Sequence, residues 1–200
     1  MKPFCCYSMR AAFITALVLG SNAVQAHTGQ AASGLYEGLI HPFGLDHLLA
    51  MVAVGVWSVS VLSARKAWLG PVTFMAALVI GATVAAAGFT VPYLESLISL
   101  SVVLFGAMLV VSRTQTPVNV GFALIAIGAS LHGLAHGAEP PETGFAAYAA
   151  SFLLTTAVLH LGGVVTGLTI RRYFSNQAPW AIRILGVGCG GAGLYLLSQL

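Results

Sequence analysis

Charged residues are scarce in this sequence of 200 residues, where aspartate, glutamate, lysine and arginine together make up 6%. A soluble globular domain carries roughly 25% of these residues, so the composition excludes that class of protein. Hydrophobic residues instead account for 58% of the chain, and the mean hydropathy is +0.92. The net charge of +3 is too small to indicate a nucleic-acid partner. We therefore predict a membrane protein whose surroundings are the lipid bilayer.

Cysteine is also rare, with three residues in the whole chain. Cys5 and Cys6 precede a short apolar stretch and would be removed together with a signal peptide, which leaves Cys189 and allows no intramolecular disulfide in the mature chain. A phosphate-binding loop of the type Gly-x4-Gly-Lys-Ser/Thr is missing too. The chain is therefore not expected to use ATP itself, and we expect no organic cofactor.

The N-terminus has the features of a secretory signal. Lys2 and Arg10 precede an apolar core over residues 11–20, and Val24-Gln25-Ala26 offers small residues at the cleavage positions. The core is shorter than the roughly 20 residues that cross a bilayer. We predict a cleavable signal peptide over residues 1–26 and a transmembrane domain over residues 27–200, with an uncleaved anchor as the alternative.

The rest of the chain divides into six apolar stretches separated by proline or polar clusters, where helices end. Each stretch is long enough to cross the roughly 30 Å hydrocarbon core as a helix. The fold class predicted is an all-α membrane protein with six transmembrane helices. The predicted spans are 35–63, 67–90, 93–112, 118–138, 144–170 and 179–199.

The basic residues predict how these spans are oriented. If signal cleavage leaves the new N-terminus in the periplasm, all basic residues after it fall at the cytoplasmic face, as the positive-inside rule requires. We therefore predict a bacterial inner-membrane protein with the mature N-terminus and the C-terminus in the periplasm. The residues at the cytoplasmic face are Arg65, Lys66, Arg113, Arg171, Arg172 and Arg183, and those at the opposite face include Glu37, Glu95, Glu139 and Glu142.

The first span begins with a run of ionisable residues, His41-Pro42-Phe43-Gly44-Leu45-Asp46-His47. A regular helix would place His41 and Asp46 on different faces. Because Pro42 has no N–H to donate and Gly44 loosens the turn, a kink there would bring His41 back towards Asp46 and His47. Ionisable groups inside membrane helices are costly and usually functional. A paired Asp46 and His47 beside a solvent-facing His41 is the alternative.

The fourth span ends with a second run, in which His132 and His136 are one helical turn apart and Glu139 follows three residues later. At 3.6 residues per turn, these three side chains project from one face. Gly133 and Gly137 lie beside that face and would let another helix approach closely. Histidines that simply bond to neighbouring helices are the alternative.

Both runs lie near the outer end of their spans, so they could form one shared site. Imidazoles and carboxylates together suit a borderline divalent transition metal. The sequence thus predicts a membrane protein that binds such a metal and moves it across the bilayer. An intramembrane zinc-dependent hydrolase, with three protein ligands and an activated water, is the alternative function.

The sequence resembles the hydrogenase/urease accessory permeases of the HupE/UreJ family over essentially its whole length. The resemblance is carried by His41-x4-Asp46-His47 with the apolar residues that follow, and by His132-Gly133-x-Ala135-His136-Gly137-x-Glu139. It implies a permease rather than an enzyme, with Ni²⁺ or Co²⁺ as the transported substrate and hand-over to hydrogenase or urease maturation proteins. The oligomeric state stays open. The metal-handling residues implied are His41, Asp46, His47, His132, His136 and Glu139.

Three further groups are weaker candidates for metal binding. His27 would become the first mature residue, where its imidazole and the terminal amine could chelate a metal together. His160 lies near the middle of the fifth span and could continue the metal path inward, or be a core histidine bonded across helices. Glu37 lies near the outer mouth, as does Glu95, and both could concentrate cations or simply be solvated helix ends.

Overall fold

The computed structural model of the protein describes residues 34–111, 117–139, 144–174 and 176–200. The predicted signal peptide, His27, Arg113 and Glu142 lie outside these ranges. Within them the chain forms helices and no β-strand, which confirms the all-α class. The α-helices are α1 (Gly34–Ile40), α2 (Leu45–Val61), α3 (Leu69–Ala86), α4 (Leu94–Val111), α5 (Val118–Ala138), α6 (Phe145–Tyr173) and α7 (Ala178–Leu197).

Five of these helices, α3 to α7, are each long and apolar enough to cross a membrane. The pair Gly34–Phe43 and Leu45–Val61 passes the same test when it is taken together, but it is bent by 65°. The protein is therefore a multi-pass membrane protein. Its described residues contain six spans if the bent pair counts as one. The pair is the first span, and α3 to α7 follow in order as the second to the sixth.

The bend in the first span has a backbone cause. His41–Phe43 form a short 3-10 turn, and the N–H of Gly44 donates to the His41 carbonyl at 3.0 Å. Gly44 then has extended dihedral angles, with φ −50° and ψ 141°, before α2 begins. Because Pro42 can donate no hydrogen bond to the preceding turn, the helix is interrupted where that bond would have been. The kink predicted at Pro42–Gly44 is confirmed.

The fifth span is longer than predicted. It was expected to end at residue 170, but α6 continues through Arg171 and Arg172 to Tyr173. The guanidinium of Arg171 donates a hydrogen bond of 2.7 Å to the carbonyl of Val59 in the last turn of α2. A cation at a helix C-terminus is favourable because the last carbonyls there have no helical partner. This contact joins the ends of α2 and α6 at the basic end of the bundle.

Glycines bring two pairs of helices into backbone contact. In the α2–α6 pair, a Cβ added to Gly163 would lie 2.7 Å from the carbonyl oxygen of Val52. In the α3–α5 pair, a Cβ at Gly133 or Gly137 would collide with the carbonyl of Leu78 or Ala82. The close approach predicted beside His132 and His136 is confirmed. Small residues commonly let membrane helices approach one another in this way.

The third pair is α4 with α7, where a Cβ on Gly106 would overlap the backbone of Gly186 and Gly190. The most extensive helix contacts thus join spans one and five, two and four, and three and six. If span one is exchanged with span four, two with five and three with six, the pair one–five becomes four–two and the pair three–six stays the same. The set of pairs is therefore unchanged by exchange of the two halves. That is the pairing expected of two related halves in an inverted repeat, although the halves share no convincing sequence similarity.

Neighbouring glycines on α6 allow a direct test of this packing. We expect Gly163→Ala to lower the thermal unfolding midpoint of the detergent-solubilised protein, because overpacking of a tight contact costs about 1–3 kcal/mol. Gly162 is the matched control, since a Cβ added there meets nothing within 4 Å. Equal midpoints for Gly163→Ala and Gly162→Ala would show that the α2–α6 contact does not need a glycine.

Candidate metal centre

The two ionisable runs meet at one end of the bundle, beside the N-terminal half of α6. His41 and His47 come from the two sides of the break in the first span, while His132 and His136 come from the last two turns of α5. His41, His47 and His132 are buried, with 8%, 3% and 0% of their surface exposed. The predicted convergence of the two runs is therefore present, and the solvent-facing His41 of the alternative is not.

The first donor group consists of His41, His47 and His136. One ligand atom from each lies within 4.8 Å of the other two. The Nε2 atoms of His47 and His136 are 2.8 Å apart, and the ring centroids of His41 and His136 are separated by 4.7 Å. Cis ligands of a metal with bonds of about 2.1 Å are about 3 Å apart, so small side-chain movements would suffice to coordinate an ion here.

The second donor group consists of Asp46, His47 and His132, again with ligand atoms within 4.8 Å of one another. The Asp46 carboxylate lies 2.8 Å from Nδ1 of His47, and the rings of His47 and His132 are 4.8 Å apart in an edge-to-face arrangement. His47 therefore belongs to both groups. The two groups form one continuous cluster, in which His41, His47 and His132 are buried and Asp46 and His136 are partly buried.

A chain of contacts assigns the protons of the first group. A carboxylate beside Nδ1 of His47 favours the proton on that nitrogen, so Nε2 carries the lone pair. Nε2 of His136 must then donate across the 2.8 Å contact, which leaves its Nδ1 as an acceptor. The hydroxyl of Tyr148 lies 3.2 Å from that Nδ1 and donates to it. Tyr148 thus terminates a hydrogen-bonded chain through both imidazoles, and the Asp46 carboxylate lies beside the other end of that chain.

Ser101 of α4 assigns the proton of His132 in the same way. Its hydroxyl donates to the carbonyl of Ile98 at 2.7 Å and lies 3.0 Å from Nε2 of His132. With the single hydroxyl proton directed at the Ile98 carbonyl, Nε2–H of His132 is the donor in the second contact. Nδ1 of His132 then carries the lone pair, and this buried atom has no hydrogen-bond partner. It is the nitrogen available to a metal ion.

Aromatic rings line the cluster on its inner side. The ring of Phe152 packs against His136 at a centroid distance of 4.3 Å and against His41 at 5.8 Å. Phe74 of α3 lies 5.9 Å from the ring of His132. Tyr148, Ser101, Phe152 and Phe74 were missed in the sequence, because isolated aromatic and hydroxyl residues in an apolar helix carry no spacing signal.

Glu139 is not brought into either donor group among the described residues. The helix ends at Ala138, and Glu139 has φ −125° and ψ 66°, so it leaves the face that carries His132 and His136. It is exposed and lines a surface pocket of about 350 Å³ together with Glu95 and Tyr93. The structure therefore places Glu139 in a surface pocket with Glu95, outside the two donor groups.

Glu37 and His160, the weaker candidates among the described residues, lie outside both donor groups. Glu37 is half-buried on α1, one turn before the break. His160 is fully buried on α6 and lies outside both donor groups, with its Nδ1 2.8 Å from the carbonyl of Thr156. The described part of the chain thus brings together His41, Asp46, His47, His132 and His136 and leaves Glu37, Glu139 and His160 outside.

Comparison with known proteins agrees with these motifs. The chain matches the family described as HupE / UreJ protein over residues 15–196. It is 38% identical over 193 residues to Protein HupE of Rhizobium leguminosarum bv. viciae, which covers 96% of this chain and 98% of the relative. No solved structure matches it. A family match and a relative that both extend over nearly the whole chain, and that include both donor runs, show that this protein belongs to the HupE/UreJ family.

Proposed function

We propose that the protein is a secondary, ATP-independent permease that carries Ni²⁺ or Co²⁺ across the inner membrane. The observation that carries this proposal is the buried cluster in which His47 is shared by two sets of nitrogen and oxygen donors. Such a donor set suits borderline divalent ions. Membership of the HupE/UreJ family supports a permease over the intramembrane zinc hydrolase that the sequence also allowed.

The orientation of the cluster in the membrane follows from the distribution of charge between the two ends of the bundle. In the described residues, Arg65, Lys66, Arg171, Arg172 and Arg183 lie at one end, and the donor cluster with Glu37, Glu95 and Glu139 lies at the other. The basic end faces the cytoplasm under the positive-inside rule. The cluster therefore opens towards the periplasm, and both termini of the mature chain are periplasmic after removal of the signal peptide over residues 1–26.

Each member of the cluster has a role in this proposal. His41, His47, His132 and His136 bind the ion through ring nitrogens, and Asp46 supplies negative charge beside them. Coordination through Nε2 of His136 moves its proton to Nδ1, which then donates to Tyr148. Glu139, Glu95 and Glu37 attract cations at the mouth, and His27 captures the ion at the mature N-terminus. The cation released inside is handed over to hydrogenase or urease maturation proteins.

Removal of the shared histidine should abolish transport. We expect His47→Ala to reduce uptake of radioactive nickel and cobalt by cells at least tenfold, because loss of this ligand depletes both donor groups at once. Gly162→Ala, which changes an open position on α6, serves as the control for expression and membrane insertion. Uptake by His47→Ala at the level of this control would exclude the cluster from transport.

Tyr148 should orient His136 rather than bind the metal itself. We expect Tyr148→Phe to weaken nickel binding to the purified protein about 10- to 100-fold, the usual effect of losing a hydrogen bond to a ligand imidazole. The substitution keeps the ring that stacks on Phe152 at 5.8 Å. Tyr195→Phe, at an exposed position on α7, is the matched control. Unchanged affinity in Tyr148→Phe would separate Tyr148 from the site.

The membrane potential should be a sufficient energy source. A divalent ion gains about 4.6 kcal/mol at 100 mV, since each charge contributes about 2.3 kcal/mol, which permits roughly a thousandfold accumulation. We expect proteoliposomes without ATP to accumulate nickel when a potassium diffusion potential makes their interior negative. Uptake that ignores the potential, or that requires ATP, would contradict a secondary permease driven in this way.

A further inference from the structure

A second cluster of buried polar groups lies deeper in the bundle, on α6. His160 and Thr156 are both 0% exposed, and they are four residues apart on one face of the helix. Eight residues separate His160 from Phe152, so it lies about 12 Å further along the helix towards the basic end. It therefore stands near the middle of the span, well away from the donor groups at the periplasmic end.

The hydrogen bond of His160 determines which of its nitrogens is available. Nδ1 lies 2.8 Å from the carbonyl of Thr156, and a carbonyl can only accept, so Nδ1 carries the proton. Nε2 must then be the lone-pair nitrogen of a neutral imidazole, which is the form that binds metals. A ligand histidine commonly has its other nitrogen fixed by a backbone carbonyl in this way.

Both free polar atoms of this pair are unsatisfied. Nε2 of His160 and the hydroxyl oxygen of Thr156 are buried and have no hydrogen-bond partner. Most buried polar groups in proteins are paired, and an exception calls for an explanation such as an ion. If packing were the only role of these two positions, apolar residues could fill them and no buried polar atom would be left unpaired.

One aromatic ring contacts both this pair and the outer cluster. The Phe74 ring centroid is 4.7 Å from that of His160 and 5.9 Å from that of His132. The unpartnered Nδ1 of His132 belongs to the innermost buried histidine of the outer cluster. The ring of Phe74 therefore contacts two histidines, each of which has a buried, unpartnered nitrogen.

From this geometry we propose that His160 and Thr156 form an inner, transient site for the same divalent cation, reached from His132 past the ring of Phe74. The proposal rests on the proposed transport function and extends it by a second binding step. One imidazole nitrogen and one hydroxyl oxygen are a weak ligand set, so the ion keeps water ligands there. Weak binding suits a step from which the ion must leave again.

The test compares nickel binding to the purified full-length protein with nickel uptake by proteoliposomes. We expect His160→Leu to keep the nickel affinity of the outer cluster within about twofold and to lose transport about tenfold or more. Retained nickel binding also shows that the variant is folded. Transport by His160→Leu at the wild-type rate would overturn the inner site, because it would show that an apolar side chain serves equally well.

Thr156→Val provides a second variant if His160→Leu does not fold. It removes the unpartnered hydroxyl with little change of volume, and we expect it to slow transport about threefold or more with binding unchanged. Thr166→Val on the same helix is the matched control, because the Thr166 hydroxyl is exposed and already donates to the carbonyl of Gly162. Wild-type transport by Thr156→Val would contradict the proposal. A wild-type protein that neither binds nor transports nickel would instead overturn the proposed function, and the inner site with it.

Discussion

The break of the first span at Pro42 is the constraint on which the rest of the site depends. A continuous helix would direct His41 and His47 to different faces, because six residues advance about 240° beyond a full turn, and the first donor group could not form. The 3-10 turn at His41–Phe43 and the extended Gly44 instead fold the chain by 65°. His41 and His47 therefore face each other across the bend, with ring centroids 5.4 Å apart. The helix loses backbone hydrogen bonds at the break, and the break allows two buried imidazoles to lie close together.

Buried polar groups in an apolar bundle are costly unless they are hydrogen-bonded, and the cluster satisfies only part of its polar atoms. The contacts from His47 through His136 to Tyr148 are hydrogen bonds, and the Asp46 carboxylate lies 2.8 Å from Nδ1 of His47. Buried nitrogens without a hydrogen-bond partner include Nδ1 of His47 and Nδ1 of His132 in the cluster, and Nε2 of His160 deeper in the bundle. They lie along the path on which we propose that the cation moves.

The glycine contacts explain how so many polar side chains meet within one bundle. Spans one and five approach at Gly163, and spans two and four at Gly133 and Gly137. These contacts bring α6 against the broken span, and α3 against the helix that carries His132 and His136. The two donor runs lie on spans one and four, which occupy corresponding positions in the two halves. Such a correspondence is typical of transporters built from inverted repeats.

The sequence by itself determined the apolar helices and their approximate ends, the break at Pro42 and the meeting of the two donor runs at one end of the bundle. These features depend on local properties: apolar length, the missing N–H of proline and the 3.6-residue period of a helix. Only the tertiary structure decided which nitrogens face each other, that Tyr148 and Ser101 orient them, and that Glu139 stands apart from the donors. Those outcomes depend on the rotation and depth of each helix against its neighbours. Glycine contacts between distant parts of the chain determine that rotation and depth. The same reason explains the extension of α6 through Arg171, because the carbonyl that this side chain binds belongs to another helix.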